Sequence, residues 1–200
     1  MMNKKIAFFD FDGTITFNDS VKGFYNFVYR RSYLYHYYIK NIYHVLLCKF
    51  RFINYATLKK RRLHGLVNKY SKTFIENKSS EFYVNFLKKD LKKDALDEIK
   101  FLKDNNFEII IVSASYNILL KEFCKEYSLG LVTNDLEIKN NKFNGECINK
   151  LDCNFGEKVS RIKRKFNLKD YNEIYVYGDS EGDMEMMKIG TKNFYNKFKG

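Results

Sequence analysis

Short apolar runs recur along the chain, each stopping at a polar cluster and separated from the next by helical periodicity. Ile6-Ala7-Phe8-Phe9 is the first, with the length and content of a buried strand. Glu108-Ile109-Ile110-Ile111-Val112 is the second and Glu173-Ile174-Tyr175-Val176-Tyr177 the third. Between Asp94 and Lys103, residues Ala95, Leu96, Ile99 and Leu102 fall on one helical face, which Asn105-Asn106 then interrupts. Glu81 to Lys89 reads as a helix capped by Ser79 or Ser80. Ile118 to Tyr127 reads as another, closed near Gly130, and Val159 to Phe166 as a fourth, opened by Gly156-Glu157-Lys158. Leu136 to Lys139 and Lys142 to Gly145 flank Asn140-Asn141, the signature of a hairpin with a tight asparagine turn. Met184, Met186 and Met187 begin a short helix, and Lys192 to Tyr195 adds an edge strand. Strands alternating with helices predict an α/β fold with a doubly wound parallel sheet.

The distribution of charge divides this chain in two. Lys and Arg total 36 against 24 Asp and Glu, a formal net charge of +12. From Ser20 to Ile75 there is no acidic residue and there are 12 basic ones, so the other 24 basic residues balance all 24 acidic ones. The predicted organisation is therefore a core of residues 1–18 and 76–200, with 19–75 inserted as a basic, aromatic-rich set of helices. Two hundred residues with 45% hydrophobic content suit one core carrying such an insertion.

Several classes are excluded early. Cys48, Cys124, Cys147 and Cys153 form no Cys-x-x-Cys or His-x-Cys cluster, which argues against a disulfide framework or zinc site and for reduced thiols in cytoplasm. His36, His44 and His64 all fall in the insertion without an acidic neighbour and receive no role. Met1 to Phe9 has basic and apolar parts like a signal peptide, but Asp10 and Asp12 cut the apolar run short. No stretch approaches the roughly 18–20 uncharged apolar residues that span a bilayer.

Open α/β sheets place ligands at the carboxyl ends of their strands, and there the three predicted strands carry their chemistry. The first runs into Asp10-Phe11-Asp12-Gly13-Thr14, the second into Ser113-Ala114-Ser115, and the third into Gly178-Asp179-Ser180-Glu181-Gly182-Asp183. Lys158 opens a helix between the last two. Together these supply a carboxylate nucleophile, a proton carrier, phosphate-binding donors and hard oxygen ligands for Mg²⁺. Singly they are weak, since Asp-x-Asp often caps a turn and a lysine at a helix start is usually solvated. Ser115 competes with Ser113, and Asp183 also suits an N-cap of the methionine helix.

In this order the pieces resemble the four motifs of the haloacid dehalogenase superfamily, specifically its phosphatase branch. Asp10-Phe11-Asp12-Gly13-Thr14 is similar to the first motif, Ser113 to the second, Lys158 to the third and Gly178 to Asp183 to the fourth, so the match covers almost the whole chain. The resemblance implies a Rossmann-like core, with the insertion folded as a helical cap over the site. It implies Asp10 as nucleophile and Asp12 as general acid and base. It also implies Mg²⁺ held by Asp10, the backbone carbonyl of Asp12 and Asp179, with Asp183 as an outer partner. Lys158, Ser113, Ala114, Gly13 and Thr14 would hold the phosphate. Lys158 and Asp179 are expected to serve the site more than the core. Dehalogenases lack an acid at the position of Asp12 and P-type ATPases carry threonine there, so the aspartate favours phosphatases and phosphomutases; the mutases usually carry a differently shaped helical cap, which favours hydrolysis.

Ser-Ala-Ser and the cap placement resemble the phosphoserine phosphatase branch, subfamily IB. Cys153-Asn154-Phe155-Gly156-Glu157-Lys158-Val159 is more similar to a sub-branch that includes bacterial phosphatidylglycerophosphate phosphatases. Phosphoserine phosphatases bring a glutamate and an arginine from the cap to the amino acid, and no glutamate precedes Glu76 in this insertion. The expected activity is Mg²⁺-dependent hydrolysis of a phosphorylated small molecule or lipid through an aspartyl-phosphate. The alternatives are a phosphoserine-type metabolite phosphatase and a non-catalytic membrane- or anion-binding protein on the same scaffold. Ser32 to Cys48 is tyrosine-rich with Lys40 its only formal charge, as suits a membrane interface. Arg30, Arg31, Lys49, Arg51 and Lys59 to Arg62 flank it and would face anionic headgroups. The expected location is cytoplasmic, peripheral to the inner membrane. Basic residues among aromatics also suit single-stranded nucleic acid, but no nucleic-acid module is discernible and that partner is not expected.

Overall fold

The computed structural model of the chain describes residues 4–29, 69–148 and 151–200, together with Ile42, Leu46, Leu47 and Phe50. The tyrosines of Ser32 to Cys48 and the basic residues from Arg30 to Arg62, on which the membrane expectation rests, lie outside the described residues, as do all three histidines.

Strand β1 (Lys5–Phe9) is followed by helices α1 (Ser20–Val28), α2 (Lys72–Asn85) and α3 (Lys93–Asp104), then β2 (Phe107–Tyr116), α4 (Asn117–Tyr127) and β3 (Gly130–Asn134). A hairpin of β4 (Leu136–Lys139) and β5 (Lys142–Cys147) comes next, followed by α5 (Gly156–Lys165), β6 (Glu173–Gly178), the short α6 (Met184–Met187) and β7 (Lys192–Tyr195). The main sheet has the order β3-β2-β1-β6-β7, and every pairing in it is parallel. Parallel sheets are covered on both faces, so their strands read as continuous apolar runs. Ile6, Ala7, Phe8 and Phe9 are accordingly fully buried. The two-residue period sends Ala7, Phe9 and Ile111 into a core shared with α1 to α4, and Ile6, Phe8, Ile110 and Val176 into a second core under α5 and α6.

The register sets Phe9 opposite both Ile111 and Tyr177, which brings the carboxyl ends of β1, β2 and β6 side by side. The strand order reverses about β1, the switch point at which such sheets bind ligands. The hairpin turn is built as its asparagines predict, with Asn140 and Asn141 both at positive φ (50° and 57°).

Two boundaries differ from the sequence expectation. Helix α2 begins at Lys72, capped by Ser71, whose Oγ accepts the Phe74 amide at 3.2 Å. Ser79 and Ser80 lie inside it, it stops at Asn85, and Leu87–Asp90 is a 3-10 turn. Its inward stripe is Ile75, Ser79, Phe82 and Tyr83, and the serine in that stripe hides the apolar period. Strand β2 does not end at Val112 but continues to Tyr116, with a register shift against β3 between those residues. Thr133 Oγ1 reaches the carbonyls of Ser113 and Ser115 at 3.0 and 2.7 Å, which stabilises this irregular end.

The outer edge of β3 is closed by α5. Arg161 donates to the Thr133 carbonyl at 2.7 Å and Lys165 to the Leu131 carbonyl at 3.1 Å. At the other side, Tyr177 is stacked between Phe9 (4.1 Å between centroids) and Phe194 (4.5 Å), and the C-terminal Phe198 lies against the same stack. Among the described residues no helix is long and apolar enough to cross a membrane.

Candidate active site

Asp10 follows β1 directly, and its amide donates to the Tyr177 carbonyl at 2.9 Å, continuing the β1–β6 ladder by one step. Its carboxylate is buried, and Lys158 Nζ donates to its Oδ1 at 2.5 Å. The same ammonium donates to Asp183 Oδ1 at 2.6 Å, and only 2% of Lys158 is exposed. Helix α5 delivers Lys158 two residues into its first turn, right after Phe155, whose φ of 47° turns the chain sharply into the helix.

Asp183 is fixed at both oxygens. Its Oδ2 accepts from Ser180 Oγ at 2.7 Å, from the Ser180 amide at 3.0 Å and from the Asp179 amide at 3.3 Å. The bond from the Ser180 amide, together with that from the Asp183 amide to the Ser180 side chain, makes a capping box around the turn Glu181–Asp183, so Asp183 shapes the loop that presents Asp179. Asp179 Oδ1 in turn accepts from Thr14 Oγ1 at 2.9 Å. Oxygens of Asp10, Asp179 and Asp183 lie within 4.8 Å of one another.

Three carboxylates cluster here, and one buried ammonium bonds two of them. Burial, reinforced by the charges of Asp183 and Asp12, pushes Asp10 up to about 7 against the pull of Lys158. Burial likewise raises Asp179, helped by Asp183, although the Thr14 hydroxyl and Lys92 and Lys158 oppose the shift. Burial opposes ionisation of Asp183 too, but Lys158 and the hydrogen bonds from Lys158 and Ser180 outweigh it and hold the carboxyl low. Lys158 stays above its ordinary value because Asp10 and Asp183 overcome its burial. One lysine does not neutralise three carboxylates, and hard oxygens this close suit a small divalent cation such as Mg²⁺. The donor set fits the cofactor that the sequence implies.

Asp12 stands apart from this cluster, and its side chain is not among the three clustered carboxylates. Its Oδ1 accepts the amide of Ser20, the first residue of α1, at 2.8 Å. Ser20 Oγ lies 2.7 Å from Ser115 Oγ, and the Ser115 amide donates to Ser113 Oγ at 3.0 Å. The first and second motifs are thus joined through the start of α1. Ser113 is buried, and its Oγ retains a hydroxyl hydrogen to donate. The Ala114 carbonyl is held by Asn134 Nδ2 at 2.8 Å, and the amide of Cys153 donates to the other end of that side chain at 2.9 Å.

Asn134, Ser20 and Lys92 have no place in the sequence-level account. For Ser20 a signal existed, because Asn18-Asp19-Ser20 before an apolar stretch is a helix-start pattern, and Asp19 Oδ1 does accept the Lys22 amide at 2.7 Å. Fully buried Asn134 ends an edge strand, and nothing local marks it.

Gly13 is required by conformation and by space. Its φ is +87°, and an added Cβ would stand 2.3 Å from Asp179 Oδ2. Gly13→Ala is expected to displace Asp179, weaken by about tenfold or more the binding of a divalent cation the cluster could hold, and cost about 1–3 kcal/mol in backbone strain. Calorimetric Mg²⁺ titration and thermal melting check both effects. Wild-type affinity in this variant would show that the Gly13–Asp179 contact is not needed.

A family model for haloacid dehalogenase-like hydrolases matches residues 7–188. Protein CicA of Caulobacter vibrioides (strain NA1000 / CB15N) is 26% identical over 196 residues, covering 96% of this chain and 86% of CicA. The crystal structure of a protein of unknown function from Bordetella pertussis Tohama I superposes with a TM-score of 0.85 at 18% identity, over 96% of this chain and 89% of that one. A phospho-aspartyl intermediate analogue of phosphoserine phosphatase shares the fold with a TM-score of 0.57 at 19% identity, over 96% of this chain and 85% of the other.

Proposed function

The chain belongs to the haloacid dehalogenase-like hydrolases, and from that membership we propose that it is a Mg²⁺-dependent phosphomonoesterase working through an aspartyl-phosphate on Asp10. The observation that carries this proposal is the buried Lys158 ammonium shared by Asp10 and Asp183, with Asp179 beside them. A lysine buried at that cost makes little sense as packing, but it matches the charge of a phosphoryl group brought to Asp10.

Phosphate monoesters are among the slowest substrates in water, with enzymatic enhancements up to ~10²¹-fold. A carboxylate nucleophile divides that barrier into two steps. In the first, an Asp10 oxygen attacks phosphorus, the bond to the leaving oxygen breaks, and Asp12 gives that oxygen its proton. In the second, the Asp12 carboxylate takes a proton from water as the water oxygen attacks phosphorus. The Asp10–phosphorus bond then breaks, releasing inorganic phosphate and restoring both aspartates. The Ser20 amide orients Asp12 for this work. Lys158 and the Ser113 hydroxyl meet the phosphoryl oxygens. Asp10, Asp179 and the Asp12 carbonyl, backed by Asp183, would hold Mg²⁺, which supplies the positive charge that lets two anions approach.

For the substrate class we favour a lipid-linked or other bulky anionic phosphate monoester. The segregated charge of residues 20–75 supports this, as does the absence of a glutamate there to hold an amino acid. The likeness of Cys153 to Val159 to the phosphatidylglycerophosphate phosphatase sub-branch points the same way. On this view the protein works in the cytoplasm at the surface of the inner membrane, with its basic segment against anionic headgroups.

Phosphate release from an aryl phosphate, phosphoserine and a lipid phosphate presented in anionic vesicles is the direct test. Hydrolysis is expected with Mg²⁺, is lost with chelator, and is fastest on the vesicle-borne ester. Preference for phosphoserine would overturn the lipid assignment. No phosphate from any ester, with salt-sensitive vesicle binding retained, would favour the non-catalytic binding protein instead.

A further inference from the structure

Lys92 lies where the chain re-enters the core, and it reaches the nucleophile loop from an element far away in sequence. Leu91 forms an antiparallel bridge with Thr16, and the Lys92 amide donates to the Ile15 carbonyl at 2.8 Å. Just before it, Asp90 accepts the Phe17 amide at its carbonyl (3.0 Å) and the Asn18 amide at Oδ2 (3.0 Å). Residues 15–18 and 90–92 are therefore zipped together. The Lys92 side chain extends this contact toward the site. Its Nζ donates to the Gly13 carbonyl at 2.5 Å and to the Phe198 carbonyl at 3.3 Å.

Both acceptors matter for what Asp10 and Asp179 can do. Gly13 is the residue whose positive φ and close approach fit it against Asp179, and Thr14 beside it donates to that carboxylate. Phe198 belongs to a segment, residues 196–200, that is also anchored at other points. Its ring stacks at 5.5 Å from Tyr177, and the amides of Lys199 and Gly200 donate to Asp94 at 2.8 and 3.2 Å. A buried ammonium with two carbonyl acceptors is costly unless both bonds persist, so it resists movement of either partner. Lys92 is only 9% exposed.

We propose that Lys92 is a positioning residue of the reaction: by tying the Gly13 carbonyl to the anchored C-terminal tail, it holds the Asp10–Thr14 loop in the geometry that receives Mg²⁺ with Asp179. It bonds none of the three clustered carboxylates and acts through Gly13 and Thr14, with its charge also felt at Asp179. This inference deepens the phosphatase proposal and rests on it for the identity of the metal.

The test is Mg²⁺ titration by calorimetry, which needs no turnover, alongside steady-state kinetics on an aryl phosphate. Lys92→Met is expected to weaken Mg²⁺ binding by about 10–100-fold, as for other residues that orient metal ligands. The drop in kcat at limiting Mg²⁺ follows, while KM at saturating Mg²⁺ stays near wild type. Lys92→Arg, which keeps donors for both carbonyls, restores most of the affinity and covers the case in which Lys92→Met fails to fold. Lys197→Met removes a lysine from the same segment, where it pairs with Glu98 at 2.7 Å and covers the aromatic stack; it lines the small cleft beside Gly13, Thr14 and Asp179 without tying the Gly13 carbonyl to Phe198 as Lys92 does. That control is expected to lower the melting temperature and leave Mg²⁺ affinity alone. Wild-type affinity in Lys92→Met, or an equal loss in Lys197→Met, would overturn the positioning role. Absence of phosphate release from the wild type, with Mg²⁺ binding still dependent on Lys92, would instead remove the phosphatase proposal and leave the positioning role standing. Wild-type protein that takes up no Mg²⁺ would remove both.

Discussion

Replacing Asp10 with asparagine is expected to abolish phosphate release, by roughly 10⁶-fold, the scale on which covalent nucleophiles count, while making the metal-free protein more stable at pH 8. The second half follows from burial. The Asp10 carboxyl is pushed up to about 7 in the fold from an ordinary value of 3.8. A raised pKa means that the folded state binds the proton more tightly than the unfolded chain does. The stability this contributes is complete below about pH 4, declines as pH rises, and is gone above about pH 7. The asparagine side chain never ionises, so the variant escapes that loss. In chelator, the Asp10→Asn variant should therefore melt higher than wild type at pH 8, and the gap should narrow toward pH 4. Adding Mg²⁺ should raise the wild-type melting temperature and reduce the gap, because the cation compensates the charge the variant lacks. Retained turnover in freshly purified variant would remove Asp10 as nucleophile. A variant less stable than wild type at pH 8 would mean that the bond from Lys158 to Asp10 outweighs the burial of its charge.

Lys158→Met has the next largest expected effect, and it acts on fold and chemistry together. The sequence led us to expect a lysine that serves the site more than the core, and in the fold it is also buried between two carboxylates. Removing one partner of a buried charged group typically costs about 3–5 kcal/mol. Here the substitution orphans Asp10 and Asp183 at once. The metal-free variant should melt well below wild type at pH 8, and less so at pH 5, where Asp10 can take up a proton. Mg²⁺ is expected to recover part of the stability but not the rate, since in the proposed mechanism the lysine also meets the phosphoryl oxygens. Loss of such a donor is worth about 10²–10³-fold in kcat. A variant with wild-type melting and a near-normal rate would show that this ammonium is a bystander.

The strands were legible because a parallel sheet covered on both faces leaves no polar positions to blur the pattern, as in Ile6 to Phe9. The acidic loops were legible because they follow those strands directly, and the contacts among Asp10, Thr14, Lys158, Asp179 and Asp183 join residues that the motif order had already grouped. The start of α2 was not legible, because a helix that buries Ser79 breaks its own apolar stripe. The end of β2 was missed for a related reason: Thr133, on another strand, supplies the hydrogen bonds that keep polar Ser113 to Ser115 extended. Lys92 and Asn134 were invisible because their roles depend on partners 79 residues away for Lys92 and about 20 for Asn134. One further lysine in a chain with 36 basic residues carries no local mark.

The clamp on the edge of β3 has a consequence for how this molecule meets its own copies. An open outer strand is a template on which a neighbouring chain can add another, the first step toward ordered aggregates. Two of its outward carbonyls, on Leu131 and Thr133, are already taken by Lys165 and Arg161. A would-be added strand must displace two cations to find its acceptors. Those cations sit on the same helix as Lys158, so the helix that brings charge to Asp10 also guards the edge of the sheet against a neighbouring molecule.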